Sequence, residues 1–287
     1  MKHIFIINPA AGKTDSRQRI YQAAEILRRK HELDVECMLT KSPGHAMALT
    51  RGIAGLENAA MTVVPIGTGN DFLRNFGADA ARFADPENLW NGKTQKIDLI
   101  DCNGRLCLTI ACSGVDARIA RDVHKYSATP LLDGKGSYIA SLVVNFLFKG
   151  IGSHWTVRVG EETLEEKDFA VVAVCNGRYY GGGFMPVAEA SMTDGVLNTL
   201  VVKQVSRLRF LQFVGPYGNG GYEKFPQFAR CFTAPSVRIL SEKEDIVTCL
   251  DGECFTSSDV LIRLSDKKLN FFGPADCSPD ATLRPKE

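Results

Sequence analysis

A chain of 287 residues can bury a sizeable core and has room for two domains. Its composition, 45% hydrophobic and 23% charged with a formal net charge of +1, is that of an ordinary globular protein and gives no global field suited to nucleic acid. No apolar run reaches membrane-spanning length and the first residues lack a signal-peptide pattern, so the expectation is a cytoplasmic chain without a transmembrane segment. Nine cysteines, with no Cys-x-x-Cys among them, read as reduced thiols rather than a zinc site or a disulfide framework. The histidines stand apart from one another and predict no catalytic role.

Residues 3–7 predict a strand buried on both faces, as in a parallel sheet. Asn8-Pro-Ala-Ala-Gly-Lys13 follows, then a helix through Arg29 with Ile20, Ala23, Ala24 and Leu27 on one face. Strand, small-residue loop and helix make a corner whose free N–H groups suit an anion, although a plain loop with a solvated lysine fits the same residues. It is not a Walker A loop, because Ile7 stands where that pattern needs glycine. A second strand is expected over Asp34–Thr40, and a polar residue such as Thr40 at the carboxyl end of a parallel strand is where open α/β sheets bind ligands. Lys41–His45 breaks the chain before a helix from His45 or Ala46. Met61–Val64 reads as a short buried strand ending at Pro65. The chain then turns through Gly67 and Gly69 into a helix near Asp71, capped by Asn70 or Asp71. Such a turn lets backbone approach a phosphate. Asp71 could hold a magnesium ion or simply favour the helix dipole.

Residues 75–91 are expected to be helical in part, with a domain boundary near Gln95. Downstream the period changes to two. Short strands are predicted over Arg105–Ala111, Trp155–Val159, Asp168–Cys175, Val196–Val202, Ser236–Leu240, Ile246–Leu250 and Val260–Leu264. Helical patterning returns at Ala117–His124, Gly136–Phe148 and Arg207–Val214, so 96–275 reads as a mostly-β, sandwich-like domain and 276–287 as an extended or frayed tail. Four stretches carry candidate chemistry. Asp116 could cap a helix or face a site. Asn176–Gly183 is a glycine-rich loop with aromatic and basic side chains that would suit a headgroup. Ser191–Leu197 contains an Asp-Gly turn, and Asp251-Gly-Glu253 sets two carboxylates around a glycine, fit for a base and metal network or for a solvated hairpin turn.

The stretch Pro65-Ile-Gly-Thr-Gly-Asn-Asp-Phe-Leu-Arg74 resembles the Gly-Thr-x-Asn-Asp-Phe signature of the diacylglycerol kinase catalytic-domain family. Further segments match in chain order over nearly the whole chain. The resemblance implies an α/β fold: an N-terminal Rossmann-like parallel domain over 1–95, shortened by one βα unit, and a C-terminal mostly-β sandwich-like domain that takes the lipid. It implies that Asn8, Pro9, Ala10, Ala11 and Gly12 line the ATP phosphates, that Lys13 adds charge, and that Thr40 touches the nucleotide. Gly67, Thr68 and Asn70 would form a second phosphate loop, with Asp71 as a supporting catalytic acid.

Cys112–Arg118 resembles the family's Gly-Phe-Asp-Ala segment, and Asn176–Gly183 with Pro186 and Ala188 resembles its lipid-entrance loop. Ser191, Asp194 and the Val196 carbonyl match a structural magnesium site, with Asn198 where the family often has aspartate. Glu253 matches the proposed base that takes the lipid hydroxyl proton. One motif departs from the pattern: no Gly-Gly-Asp-Gly-Thr strand and loop occurs, as if roughly 20–25 residues of strand, helix and loops were excised near Arg51–Gly52. The implied activity is an ATP- and Mg2+-dependent kinase for diacylglycerol or a related lipid, peripheral to the membrane, a possible homodimer, and without a nucleic-acid partner. A catalytically inactive lipid- or partner-binding relative is one alternative. A soluble NAD-kinase-like or sphingoid-type kinase is another.

Overall fold

The structure is a computed structural model and describes residues 2–11, 17–42, 44–53, 59–66, 70–127 and 150–280. Gly12, Lys13, Gly67, Thr68 and the helix expected at Gly136–Phe148 lie outside the described residues. The chain forms two compact units, one reaching to Ile97 and taking in the stretch from Leu269 onward, the other Asp98–Lys268. The return of the chain to the first unit at Leu269 was not foreseen, because a strand's hydrophobic period carries no sign of which unit it serves.

In the first unit β1 (Lys2–Ile7) pairs in parallel with β2 (Asp34–Leu39), from Lys2 opposite Asp34 to Ile7 opposite Leu39. Helix α1 (Arg17–His31) crosses between them and buries Ile20, Ala23, Ala24 and Leu27, as its period predicts. Only Ile7 of β1 is buried, contrary to the expectation of a strand covered on both faces. The described sheet here is two strands wide, so most of β1 stays half-exposed. Helix α2 (His45–Ile53) starts where expected.

The expected strand at Met61–Val64 is instead a single bridge. Met61 is 42% exposed and pairs with Phe271, donating its N–H to the Asn270 carbonyl (2.8 Å). Helix α3 (Asp71–Arg74) lasts one turn, because the Asn75 side chain donates to the Asp71 and Phe72 carbonyls and ends the ladder. Two 3-10 helices, Gly77–Ala84 and Pro86–Leu89, follow. Phe76, Phe83 and Phe271 are packed with ring centroids 4.9 to 5.8 Å apart and are the hydrophobic reason this segment holds. The tail is packed, not frayed, as far as Asp280: Cys277 is buried and its carbonyl accepts from Gln95 Nε2.

The second unit is built on two sheets. One runs in the order β11-β10-β9-β5-β13-β14, with β6 also on β9, and the other β4-β3-β15-β12-β7-β8. These strands are β3 (Lys93–Cys102), β4 (Arg105–Cys107), β5 (Ile110–Gly114), β6 (Ser153–His154), β7 (Thr156–Val159), β8 (Glu162–Thr163), β9 (Asp168–Cys175), β10 (Asn198–Lys203), β11 (Ala229–Thr233), β12 (Ser236–Leu240), β13 (Ile246–Leu250), β14 (Glu253–Ser257) and β15 (Asp259–Gly273). Val157, Ile239 and Ile262 of one sheet meet Phe169, Val172 and Val201 of the other in a sandwich core. The opposite face of the β9 sheet packs on α4 (Val115–Ser127) and α5 (Arg207–Tyr217) through Ala117, Phe210 and Phe213. Gly114, between β5 and α4, has φ +115°, and a Cβ there would stand 2.2 Å from the Ala170 carbonyl oxygen, so the close approach requires glycine. All nine cysteines are free.

Candidate functional site

In the first unit, the loop after β1 is shaped by Asn8. Its Oδ1 accepts from the Ala10 N–H (3.0 Å) and its carbonyl from the Ala11 N–H (3.1 Å). Thr40 donates its N–H to the Ile7 carbonyl (2.9 Å), so Thr40 and Asn8–Ala11 sit together at the carboxyl ends of paired parallel strands. That is the ligand-binding edge of an open α/β sheet. Asn70 takes the N-cap position of α3 without a side-chain cap, and Asp71 is ion-paired with Arg74 at 3.2 Å.

In the second unit, Asp251 and Gly252 form the turn between β13 and β14, with φ +47° and +99°, the geometry of a two-residue hairpin. The Asp251 carboxylate is consumed by the backbone. It accepts from the N–H groups of Leu108, Thr109 and Ile110 and from the Thr109 hydroxyl. Glu253 is exposed at the start of β14, with no ion pair or hydrogen bond from its carboxylate among the described residues. The two acids therefore divide their work: Asp251 holds the turn and Glu253 presents a carboxylate.

Asp116 lies in the first turn of α4, where its Oδ2 accepts from the Tyr180 hydroxyl and, at 2.8 Å, from that of Tyr217. Burial pushes the Asp116 carboxyl above its ordinary value, the two phenols opposing that rise, and burial drives both phenols well above theirs. Tyr180 also closes the glycine-rich loop, its N–H and carbonyl both bonded to Phe184 across Gly181–Gly183. Asp116 is thus joined to the loop that the sequence likens to a lipid entrance, a link not visible from its helix position.

The turn at 191–196 is organised by Asp98, a buried residue of β3. The Asp98 Oδ2 accepts from Gly195 N–H (2.7 Å), its N–H bonds to the Met192 carbonyl (2.8 Å) and its own carbonyl accepts from Asn176 Nδ2 (2.7 Å). The Asp98 Oδ1 is held by Lys268 Nζ at 2.6 Å. Within the turn Ser191 Oγ accepts from Thr193 N–H, and Asp194 Oδ1 from Val196 N–H. Metal chemistry fits this donor set poorly. Ser191 Oγ, Asp194 Oδ1 and Asp98 Oδ2 each already accept a backbone N–H, and Asp98 Oδ1 carries the Lys268 ammonium. Asp98, Lys268 and Tyr217 are the residues that sequence reading missed, while Asn176 and Tyr180 were marked only as members of the glycine-rich loop. For Asp98 a signal existed: a carboxylate inside the apolar strand run Ile97–Ile100.

Residues 109–273 match the family model described as the YegS C-terminal NAD kinase beta sandwich-like domain. The chain belongs to this family. Relatives named "Probable lipid kinase YegS-like" include one from Pseudomonas aeruginosa PAO1, 30% identical over 55% of this chain and 49% of its own length. One from Shewanella frigidimarina is 28% identical over 76% of this chain and 68% of its own. The chain spans about half the length of the Pseudomonas relatives it matches, 51% and 49%, and 66% of a Staphylococcus carnosus relative. The crystal structure of a diacylglycerol kinase from Bacillus anthracis str. Sterne superposes with a TM-score of 0.67 at 17% identity, covering 94% of this chain and 96% of that one. A second B. anthracis structure does so at 0.72 and 20%. At such identities the likeness speaks for the fold: a mixed α/β architecture with an N-terminal parallel sheet and a C-terminal antiparallel sandwich. No helix among the described residues is long and apolar enough to cross a membrane.

Proposed function

We propose that the chain is an ATP-dependent kinase that phosphorylates the hydroxyl of diacylglycerol or a closely related lipid. The observation that carries this reading is the division of labour at the β13–β14 turn: Asp251 is spent on four donors while Glu253 presents an unpaired carboxylate. A rigid turn with a free acid is what a general base requires. The lipid O–H proton passes to Glu253, the hydroxyl oxygen bonds to the γ-phosphorus, the bond from that phosphorus to the bridging oxygen breaks, and ADP leaves. In this reading the loops Asn8–Lys13 and Gly67–Asn70, with Thr40, hold the triphosphate, and Asp71 supports them. Magnesium would arrive with the nucleotide and neutralise charge developing on the phosphates. The turn at Ser191, Asp194 and Val196 supplies structure rather than ion ligands.

The test is transfer of radiolabel from ATP to a diacylglycerol-containing micelle. Label in the organic extract is expected, and Glu253→Gln should lower it by about 10²–10⁴-fold without lowering the melting temperature. A water-soluble product alone would favour a soluble kinase of the NAD-kinase kind. One observation favours a second reading, a relative that binds lipid without turnover: the Gly-Gly-Asp-Gly-Thr segment is absent, and a single preorganised donor is worth about 3 kcal/mol of barrier. Magnesium-ATP binding separates the two. A folded chain with no affinity for the nucleotide is not a kinase.

A further inference from the structure

Helix α5 (Arg207–Tyr217) has two apolar faces. Its inner face is settled: Phe210, Phe213 and Tyr217 are buried, and the Phe213 ring packs edge-on against Phe225 and Phe228 at 5.3 Å each. Its outer face carries Leu208, 68% exposed, and Leu211, 51% exposed. Three positions apart on a helix, these leucines lie side by side. Arg207 and Arg209 flank them, both exposed.

The charges on this face are of one sign. Elsewhere in the second unit Arg158, Arg230, Arg238 and Arg263 are paired with Glu161, Glu162, Asp259 and Asp101, and Arg105 lies over the Phe255 ring. Arg207 and Arg209 have no such partner among the described residues, and no aspartate or glutamate occurs between Asp194 and Glu223. Two adjacent leucines flanked by two arginines fit the surface of an interfacial helix, whose apolar side enters the acyl boundary while its cations meet anionic headgroups. The patch is far smaller than the roughly 800 Å² per partner that a stable protein interface uses. An interfacial helix needs no such area.

We infer that the outer face of α5 docks this chain on an anionic lipid bilayer. The helix is coupled to the loop that would admit lipid. Gly218, next after α5, accepts at its carbonyl from Met185 N–H (3.0 Å), Phe184 packs against Gly218, and the Tyr217 hydroxyl meets Tyr180 and Asp116. Docking by α5 therefore sets the orientation of the glycine-rich loop with respect to the bilayer. The inference rests on the lipid-substrate reading for its partner class but not on phosphoryl transfer.

The test is flotation of the full chain with vesicles of equal parts phosphatidylcholine and phosphatidylglycerol, and with vesicles of phosphatidylcholine alone. The chain is expected to float with the mixed vesicles, less so at high salt, and weakly with phosphatidylcholine. Leu208→Ser with Leu211→Ser, and separately Arg207→Glu with Arg209→Glu, should each lower binding by about tenfold or more while the melting temperature stays put, since all four side chains are exposed. Equal binding by the variants, or no binding by the parent chain, overturns the inference. So does a concentration-dependent dimer that the leucine changes disrupt, because the face would then belong to a second copy. Glu253→Gln should float like the parent, so failure of docking and failure of catalysis are told apart.

Discussion

If Lys268 is the resident cation of the 191–196 turn, the turn should depend on that lysine and ignore divalent ions. The Asp98 side chain is 1% exposed, and its two oxygens are divided between Lys268 Nζ and the Gly195 N–H. Removing one partner of a fully buried ion pair costs about 3–5 kcal/mol, because a bare charge stays behind. Lys268 is 46% exposed, so water takes up part of its place, and surface pairs are worth about 0–1 kcal/mol. Lys268→Ala should therefore cost about 1–3 kcal/mol, a fall in melting temperature of roughly 3–9 °C for a unit of this size. A divalent ion seated about 4 Å from the ammonium would meet a repulsion of order 8 kcal/mol, twice the unit-charge value at an effective dielectric of 20. Thermal unfolding of the parent chain should thus be unmoved by magnesium or by EDTA. Asp98→Asn in the Lys268→Ala background should recover part of the loss, since it removes the uncompensated charge. A saturable rise in the parent's melting temperature with magnesium, or a Lys268→Ala chain as stable as the parent, would refute the reasoning.

Asp116 carries a pH prediction. Burial raises its folded value above the ordinary 3.8, so the folded chain holds this proton to higher pH than the unfolded chain. Its contribution is favourable below 3.8 and is lost as pH climbs through the raised value, so Asp116→Asn should gain stability relative to the parent over that rise, as read by urea unfolding across a pH series. Asp251→Ala leaves the Leu108, Thr109 and Ile110 N–H groups without their acceptor and should destabilise by about 2–4 kcal/mol in the same assay. Gly114→Ala sets a Cβ against the Ala170 carbonyl and should cost about 3 kcal/mol or prevent folding, seen as loss of a cooperative thermal transition.

The parts legible in the sequence were those with local causes. Asp168–Cys175, Ser236–Leu240 and Ile246–Leu250 have the strand limits that their period predicted, and α1 buries the four residues its spacing named. Met61–Val64 failed for a nonlocal reason: its backbone partner is Phe271, some two hundred residues away, and only one residue of it pairs. The tail misled similarly, since proline content suggested fraying while Cys277 is packed. Asn75 shortened α3 by bonding its side chain to two carbonyls, a competition that helix propensity alone does not display.

The candidate site divides along the same line. Motif spacing marked Asp251 and Glu253 together, but nothing in a tripeptide says which acid is spent on structure. That follows from the segment 108–110 arriving on the adjacent strand with three N–H groups to satisfy. Likewise Asp116 was legible as a helix-opening acid, whereas its tie to Tyr180 and Tyr217 requires the glycine-rich loop and α5 to be in place. A carboxylate's role is set by which donors reach it, and those donors come from strands and helices distant in the chain. The residue that sequence reading should weigh most heavily is therefore the acid in an unpromising apolar setting. Asp98, inside Ile97–Ile100, had no motif to announce it, yet it joins β3, Asn176, the 191–196 turn and Lys268 through four bonds.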